Sequence, residues 1–146
     1  MSAKQHPRVH VRSDLCRDCQ ACLLSCSLYH EGECSPGLAR LRVRKDMARY
    51  EFTISICRQC RRPKCLEACP VGAMRLDERG VVLIDDGLCT HCGECAAACP
   101  FGAIFQHEAS GRILKCDLCA GRAEGPLCTA LCPVGALTLA PHGGEG

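Results

Sequence analysis

The cysteines carry most of the chemistry that this sequence can do, and their spacing repeats. Of the 17 cysteines, all but Cys34 fall into four groups of four, and the last three groups end in Cys-Pro. Thiolates bind soft metals such as zinc and the iron of iron–sulfur clusters, so the pattern predicts metal ligands. The groups are Cys16, Cys19, Cys22 and Cys26; Cys57, Cys60, Cys65 and Cys69; Cys89, Cys92, Cys95 and Cys99; and Cys116, Cys119, Cys128 and Cys132.

The cellular location decides whether these thiols are free to bind metal. The N-terminal segment MSAKQHPRVHVRSDLC has neither an apolar core nor a twin arginine, so it does not read as an export signal. The longest aliphatic run, at 81–84, is too short to cross a bilayer. We therefore predict a cytoplasmic protein without direct membrane insertion, in which thiols stay reduced and dense cysteines indicate metal.

The third group has the spacing C-x2-C-x2-C-x3-C-P, which is the signature of bacterial [4Fe–4S] ferredoxins. In two-cluster ferredoxins three of these cysteines hold one cluster and the fourth reaches the other. A zinc site typically uses two C-x2-C pairs separated by a longer loop. An odd number of thiols cannot all pair as disulfides. We therefore predict [4Fe–4S] clusters, and zinc is the less favoured alternative.

The sequence around the cysteines also repeats, and the repeat predicts the elements that position them. After each Cys-Pro comes a Gly-Ala turn and a short strand, and twice a polar glycine turn and a return strand follow. We predict an α+β fold of tandem or nested ferredoxin-like modules, with short hairpins and short helices around four clusters. Predicted strands span 73–76, 81–84, 103–106, 112–115 and 136–139, and predicted helices span 20–29, Lys64–Ala68, Glu94–Ala98 and Leu127–Leu131.

The order of the groups predicts how the modules are arranged. Groups two and three, at about 51–105, have the layout of a complete two-cluster ferredoxin. Groups one and four would form an outer module of about 1–50 plus 106–146, so we expect residues 1–146 to be a single polyferredoxin domain. With no Trp, two Tyr and three Phe, a chain of this size needs its metal clusters for stability.

The chain resembles the four-cluster iron–sulfur subunits of the dimethyl-sulfoxide-reductase type. The resemblance rests on the four groups in order, on the wide gap between Cys119 and Cys128, and on residues 16–50. The stretch CRDCQACLLSCSLYHEGECSPGLARLRV is most similar to the small iron–sulfur subunit of tungsten-dependent aldehyde oxidoreductases. We expect the chain to differ from larger relatives in having neither long insertions nor a C-terminal membrane anchor.

This resemblance implies a nested exchange of ligands, although sequence order alone leaves sequential pairing of groups one and two open. All sixteen positions are cysteines, so nothing indicates a three-iron cluster. The implied sets are cluster 1, Cys16, Cys19, Cys22 and Cys132; cluster 2, Cys57, Cys60, Cys65 and Cys99; cluster 3, Cys89, Cys92, Cys95 and Cys69; and cluster 4, Cys116, Cys119, Cys128 and Cys26.

The remaining residues predict electron transfer and no catalysis. No nucleophile–base set, phosphate loop or dinucleotide fingerprint stands out. With roughly 36 residues per cluster, little chain is left for a substrate pocket. We predict a subunit that passes single electrons along four clusters. A free-standing polyferredoxin carrier is one alternative, and a labile-cluster sensor or maturation protein is a less favoured one.

The resemblance also implies partners for the two ends of such a row. One end would face a tungstopterin subunit that oxidises aldehydes to acids. The other would face a flavin subunit that reduces NAD, a ferredoxin, or a second copy of this chain. Alternative catalytic partners are a molybdenum enzyme of the formate or dimethyl-sulfoxide type, a hydrogenase, or CO dehydrogenase. With an aromatic content of 3%, the chain has few residues for stacking on bases, so we expect no nucleic acid partner.

Several other residues have open roles. We expect Cys34 to be either a small buried apolar side chain or an unreactive thiol. His91 either tunes a cluster through a hydrogen bond or faces solvent, and His30 belongs to no recognisable motif. A run of basic residues either forms a solvated face that compensates cluster charge or docks onto an acidic partner. This basic segment contains Arg40, Arg42, Arg44, Lys45, Arg49, Arg58, Arg61, Arg62 and Lys64.

Overall fold

The computed structural model describes residues 7–141, and in this range the chain forms short helices and four two-stranded antiparallel sheets. This is the small α+β architecture that the sequence predicts. The helices are α1 (Ala21–Glu31), α2 (Lys64–Ala68), α3 (Glu94–Ala98) and α4 (Leu127–Leu131). The strands are β1 (Pro7–Val11), β2 (Leu41–Asp46), β3 (Glu51–Ile56), β4 (Met74–Leu76), β5 (Val82–Ile84), β6 (Ile104–Gln106), β7 (Ile113–Lys115) and β8 (Leu137–Pro141).

The three short helices have the predicted bounds, and the proline after each cysteine group explains where they end. Helices α2, α3 and α4 each stop at a cysteine whose backbone is extended, with ψ between 112° and 115°. A residue before proline avoids the α-helical region, so the helix ends there. Group one ends in Cys26-Ser27 instead, and α1 therefore continues for another turn, to a C-cap at Gly32 with φ of +77°.

The predicted hairpins are present as β4–β5 and β6–β7, although each strand begins one residue later than predicted. Strand β8 likewise begins one residue later than predicted, and before β4 and β8 the cause is a bond to sulfur. The backbone N–H groups of Ala73 and Ala136 donate to the Sγ atoms of Cys69 and Cys132, both at 3.3 Å. These N–H groups are therefore unavailable to a partner strand, and pairing starts at the next residue.

Two further pairings have no counterpart in the predicted elements. Strand β1 pairs antiparallel with β8, so that Val9 lies opposite Leu139 and the two ends of the described chain share a sheet. Strands β2 and β3 form a hairpin in which Leu41 lies opposite Ile56. The predicted module limits near 50 and 105 fall within the β2–β3 and β6–β7 hairpins, so the two modules share strands at their limits.

The helices pack in two pairs, α1 with α4 and α2 with α3. Nine cysteines are buried in the core, whereas the largest fully buried aliphatic side chains are few: Leu41, Val81, Val82, Leu114, Leu118 and Leu137. A core with this composition fits a small protein that depends on metal clusters for stability. Within residues 7–141, every helix is too short or too polar to cross a bilayer.

Candidate iron–sulfur sites

Three cavities are each surrounded by four thiols, three from one cysteine group and one from another. The same arrangement of thiols around each cavity indicates one kind of occupant. The sets are site 1, Cys16, Cys19, Cys22 and Cys132; site 2, Cys57, Cys60, Cys65 and Cys99; and site 3, Cys69, Cys89, Cys92 and Cys95.

The other four predicted ligands also lie together. Burial raises the pKa of Cys128 to about 12, and the neighbouring thiols of Cys26 and Cys119 add to the rise. Burial raises the pKa of Cys116 well above its ordinary value, and Cys128 contributes there too. We call the set Cys26, Cys116, Cys119 and Cys128 site 4. Cys26 comes from group one and completes site 4, just as Cys132 of group four completes site 1.

The thiols of each set surround a space and do not converge on a point. In the described part of the chain, no three Cys, His, Asp or Glu side chains lie close enough together to hold a single metal ion. Tetrahedral zinc, with Zn–S bonds of about 2.3 Å, would require sulfur atoms roughly 3.8 Å apart. A four-iron cluster separates its ligands more widely, so the arrangement fits a cluster better than zinc.

The cysteine loops share a backbone conformation that suits an anionic cluster. In each loop the residue before the second cysteine has a left-handed backbone: φ is +58° at Asp18, +47° at Gln59, +59° at His91 and +57° at Leu118. A left-handed residue in a tight loop turns successive N–H groups toward one concave face, which is how backbone nests bind anions and iron–sulfur clusters. The loops therefore fit [4Fe–4S] clusters.

Backbone N–H groups also donate directly to ligand sulfurs. Besides the bonds to Cys69 and Cys132, the N–H groups of Gln59 and Leu118 donate to Cys57 and Cys116, both at 3.4 Å. Burial alone would raise the pKa values of Cys69 and Cys132, but several backbone N–H groups lower both below the ordinary value. These N–H groups therefore favour the thiolate form, which is the form that binds metal.

The more deeply buried thiols behave in the opposite way. Burial raises the pKa of Cys22 and that of Cys65 to about 11. These side chains are therefore neutral thiols near neutral pH unless a cation takes the place of the proton. Metal binding at such sites releases protons as the thiolates form. The four sets together thus contain thiols whose pKa favours the thiolate and thiols that lose their proton when iron binds.

Contacts between thiols of different sets give the spatial order of the sites. Cys65 of site 2 and Cys95 of site 3 belong to the same buried cluster. Cys116 of site 4 interacts electrostatically with Cys57 of site 2. On the other side of site 4, Cys128 interacts with Cys22 of site 1. The order in space is therefore site 3, site 2, site 4, site 1.

The two ends of this row are the places where ligand thiols reach the surface. Cys92 of site 3 and Cys19 of site 1 are exposed, whereas all four thiols of site 4 are buried and those of site 2 are buried or half-buried. Electrons cross a protein surface most easily where a redox centre lies close to it. The row thus has two accessible ends and a covered middle.

Site 4 is bordered by a charged network that the sequence analysis missed. His30 contacts Cys26, with Nδ1 at 2.9 Å from the carbonyl oxygen and 3.6 Å from Sγ. Its Nε2 lies 2.9 Å from Asp117, and Arg40 approaches the same carboxylate at 3.4 Å. Burial alone would lower the pKa of His30, but the bonds to Asp117 and Cys26 raise it to about 9. Arg40 also donates its backbone N–H to Cys26 Sγ at 3.3 Å.

Two predictions about single residues have clear outcomes. The prediction that Cys34 is buried is wrong, because its side chain is exposed; it follows the Gly32 cap of α1 in a surface loop, away from the core. His91 faces solvent, and its carbonyl oxygen accepts a hydrogen bond from Gln106. Neither residue takes part in a thiol set.

The basic segment is not one continuous cationic face. Arg40 is largely buried in the network beside site 4. Arg42 lies over the ring of Phe105, with its guanidinium carbon 4.4 Å from the ring centre. Lys45 pairs with Asp18 at 2.6 Å, beside site 1. Several of these cations therefore make contacts within the protein, while Arg44, Arg49 and Lys64 remain exposed.

Comparisons with known proteins agree with the iron–sulfur geometry. A family model described as a 4Fe-4S dicluster domain matches residues 48–142, and one described as a 4Fe-4S binding domain matches residues 13–29. One component of the anaerobic dimethyl sulfoxide reductase of Escherichia coli K12 is 34% identical over 90% of this chain and 71% of that protein. One component of the tetrathionate reductase of Archaeoglobus fulgidus is 40% identical over 71% of this chain and 50% of that protein.

A solved structure with a similar fold is the active-site complex BamBC of benzoyl coenzyme A reductase with benzoyl-CoA. One of its chains is 27% identical to the present chain, with a TM-score of 0.56, and the match covers 96% of this chain and 82% of that one. The similarity therefore extends over nearly the whole chain, and it is found in a chain that forms part of an enzyme complex.

Proposed function

Because this protein belongs to the 4Fe-4S dicluster family of iron–sulfur subunits, we infer that it is an electron-transfer subunit with four [4Fe–4S] clusters between a catalytic oxidoreductase subunit and a second redox partner. Binding of [4Fe–4S] clusters and a place among the electron-transfer subunits of oxidoreductases follow from the family. The number of clusters, their ligands and the partners are our proposal.

The proposed ligands are the nested sets of sites 1 to 4. Support comes from the three four-thiol cavities, from the electrostatic contacts within site 4, and from the left-handed residue in each loop. Sites 1 and 4 exchange their fourth thiols between groups one and four, across the α1–α4 pair. Sites 2 and 3 exchange theirs between groups two and three, across the α2–α3 pair. The chain thereby holds the four sites in a fixed order.

The observation that carries the function is the row of sites with thiols exposed at its two ends. The clusters supply one-electron redox chemistry when bound. The chain itself spaces the sites, excludes water from the middle of the row and donates backbone hydrogen bonds to ligand sulfurs. Cys92 and Cys19 mark the surfaces where partners would dock. A free carrier would also use such surfaces, but membership of a family of complex subunits favours fixed partners.

For the catalytic partner we propose a tungstopterin subunit that oxidises aldehydes. The support is the similarity of residues 16–43 to the small subunits of tungsten-dependent aldehyde oxidoreductases. A reductase of the dimethyl sulfoxide or tetrathionate type is the second candidate, because relatives carry those names. At the other end we propose a flavin subunit that reduces NAD or a ferredoxin, and a second copy of the chain could extend the row.

Anoxic purification of the affinity-tagged chain from its native host, with elemental analysis of the co-eluting complex, tests this proposal. We expect about sixteen irons per chain, four for each cluster, together with tungsten in the partner. Molybdenum or nickel in place of tungsten would replace the partner and keep the electron-transfer role. Iron with no co-purifying protein would make the chain a free carrier. Stoichiometric zinc without iron would contradict the proposal altogether.

A further inference from the structure

Lys115, the last residue of β7, is a buried cation. Its side chain is 2% exposed, and a buried lysine is rare in proteins unless it has a charged partner. The ammonium donates to two backbone carbonyl oxygens, that of Val82 at 2.7 Å and that of Cys116 at 2.8 Å. Its hydrogen bonds thus tie strand β5 to the first cysteine of group four.

No carboxylate neutralises this ammonium. Among the ion pairs of residues 7–141, none involves Lys115, whereas Arg112, the residue before β7, pairs with Glu31. A buried charge without an opposite charge costs several kcal/mol. The site must therefore contain a negative charge that no Asp or Glu side chain supplies.

The groups beside Lys115 that can supply a negative charge are the thiol sets of sites 2 and 4, once iron binding has converted them to thiolates. The side chain lines the site 2 cavity together with Cys57, Cys65 and Cys99, and it bonds to the backbone of Cys116 in site 4. Lys115 therefore contacts both sites directly, through the cavity wall of site 2 and through the backbone of site 4.

We propose that Lys115 is the fixed counter-ion of sites 2 and 4, and that it makes these two buried sites easier to reduce than they would be without it. The inference rests on the proposed function, since it requires clusters at both sites. Reduction adds one negative charge to a cluster, and a nearby cation stabilises that charge strongly where water is excluded. Lys115 is a positioning residue that acts through the clusters.

Lys115 lies beside sites 2 and 4, the covered middle of the row, and this is where a cation is needed. Burial disfavours additional negative charge, so the covered sites 2 and 4 would be harder to reduce than the exposed sites 1 and 3. Such a difference would place a barrier in the middle of the electron path. A single ammonium between the two covered sites offsets the penalty for both of them.

A purely structural role does not require a charge at this position, because a neutral residue already makes the same link. Gln59, which is fully buried, donates its Nε2 to the Cys116 carbonyl at 2.8 Å and accepts a bond from the Val82 N–H at 3.0 Å. The amide of Gln59 therefore joins the same two segments. What Lys115 adds is its positive charge.

Redox titration of the whole cluster-loaded chain, followed by electron paramagnetic resonance, tests the proposal. The variants are Lys115→Met and Lys115→Gln, which remove the charge, and Lys115→Arg, which keeps it. Lys64→Met is the matched control, because Lys64 lines the same site 2 cavity but is exposed, so that water screens its charge. Iron and sulfide are measured in every sample.

We expect the neutral variants to lower two of the four midpoint potentials and to leave the other two unchanged, while Lys115→Arg and Lys64→Met stay near the wild type. Unchanged potentials, or an equal shift of all four, in a fully loaded neutral variant would overturn the proposal. Should both neutral variants fail to retain iron, retention by Lys115→Arg would support a requirement for charge, and failure of Lys115→Arg as well would contradict it. A wild-type chain without iron signals would instead refute the proposed function.

Discussion

At the scale of single residues, the thiol loops adopt an unfavourable backbone conformation that suits cluster binding. A left-handed conformation costs a non-glycine residue roughly 1–2 kcal/mol, and Asp18, Gln59, His91 and Leu118 all adopt it. The same conformation at the same point of four loops indicates a common requirement. Convergent N–H groups around an anionic cluster meet that requirement.

The exposed Cys34 and the proposed ligand Cys132 make a direct comparison possible. We expect Cys34→Ala to retain about sixteen irons per chain, because Cys34 lies outside every thiol set. Cys132→Ala removes one thiol of site 1, so we expect about four irons fewer. Iron and acid-labile sulfide after anoxic purification measure both. Loss of iron from Cys34→Ala, or a full complement in Cys132→Ala, would contradict the assignment.

His30 provides a second prediction at this scale. His30→Ala removes one partner of Asp117 and the contact with Cys26, so we expect a loss of about 1–3 kcal/mol in the stability of the loaded protein. His10→Ala is the control, because His10 is exposed on strand β1. Chemical denaturation without oxygen, followed by the bleaching of cluster absorbance, compares the two. Equal midpoints for both variants would show that the His30 network stabilises nothing.

The sequence marks the cysteines that the structure gathers into thiol sets, and it marks their surroundings poorly. The cysteine spacing alone marks sixteen residues, because the chain near a cluster must follow the cluster's geometry. The i+4 spacing of Cys26 and His30 on one helix was an available signal for that contact. Lys115 gave no such signal: a lysine at the end of a three-residue strand is usually exposed, and its burial depends on β5, which is distant in sequence.

At the scale of elements, proline decides where the short helices end, and cysteine sulfurs decide where β4 and β8 begin. The Cys-Pro pairs indicate where helices α2, α3 and α4 end, and the turn residues between the groups indicate the hairpins. The sequence therefore predicts both. The β1–β8 pairing joins residues such as Val9 and Leu139, and no local pattern reports so distant a partner. In the β2–β3 hairpin, alternation at Leu41 and Val43 is hidden by the surrounding arginines.

Strand β8 offers a test of the pairing between the two chain ends. Leu137 is 1% exposed and lines site 1, whereas Leu139 on the same strand is 48% exposed. We expect Leu137→Ala to cost about 2–5 kcal/mol and Leu139→Ala less than about 0.5 kcal/mol. Anoxic denaturation of both loaded variants gives the difference. Similar costs would mean that β8 does not bury Leu137 against the core.

At the scale of the whole molecule, the proposed ligand exchange between groups would set the order of the sites. Nested exchange pairs group one with group four and group two with group three, and it agrees with the two helix pairs, α1 with α4 and α2 with α3. The alternative, in which group one exchanges with group two, would place Cys26 beside the loop of Cys57. The two arrangements predict different losses when two ligands are removed together.

Double variants distinguish the two arrangements by iron content. Under nested exchange Cys26 and Cys116 serve the same cluster, so Cys26→Ala with Cys116→Ala loses no more than either alone and retains about twelve irons per chain. Cys26→Ala with Cys57→Ala removes ligands of two clusters and retains about eight. Sequential exchange reverses the two results. Each double variant is therefore the control for the other.

The most direct test of the account as a whole is the stoichiometry of iron, acid-labile sulfide and zinc in the chain purified without oxygen. Four clusters held by sixteen thiols require about sixteen irons and about sixteen sulfides per chain, with zinc near zero. About eight irons would reduce the row to a two-cluster ferredoxin. Stoichiometric zinc without sulfide would show that the four thiol sets are not iron–sulfur sites.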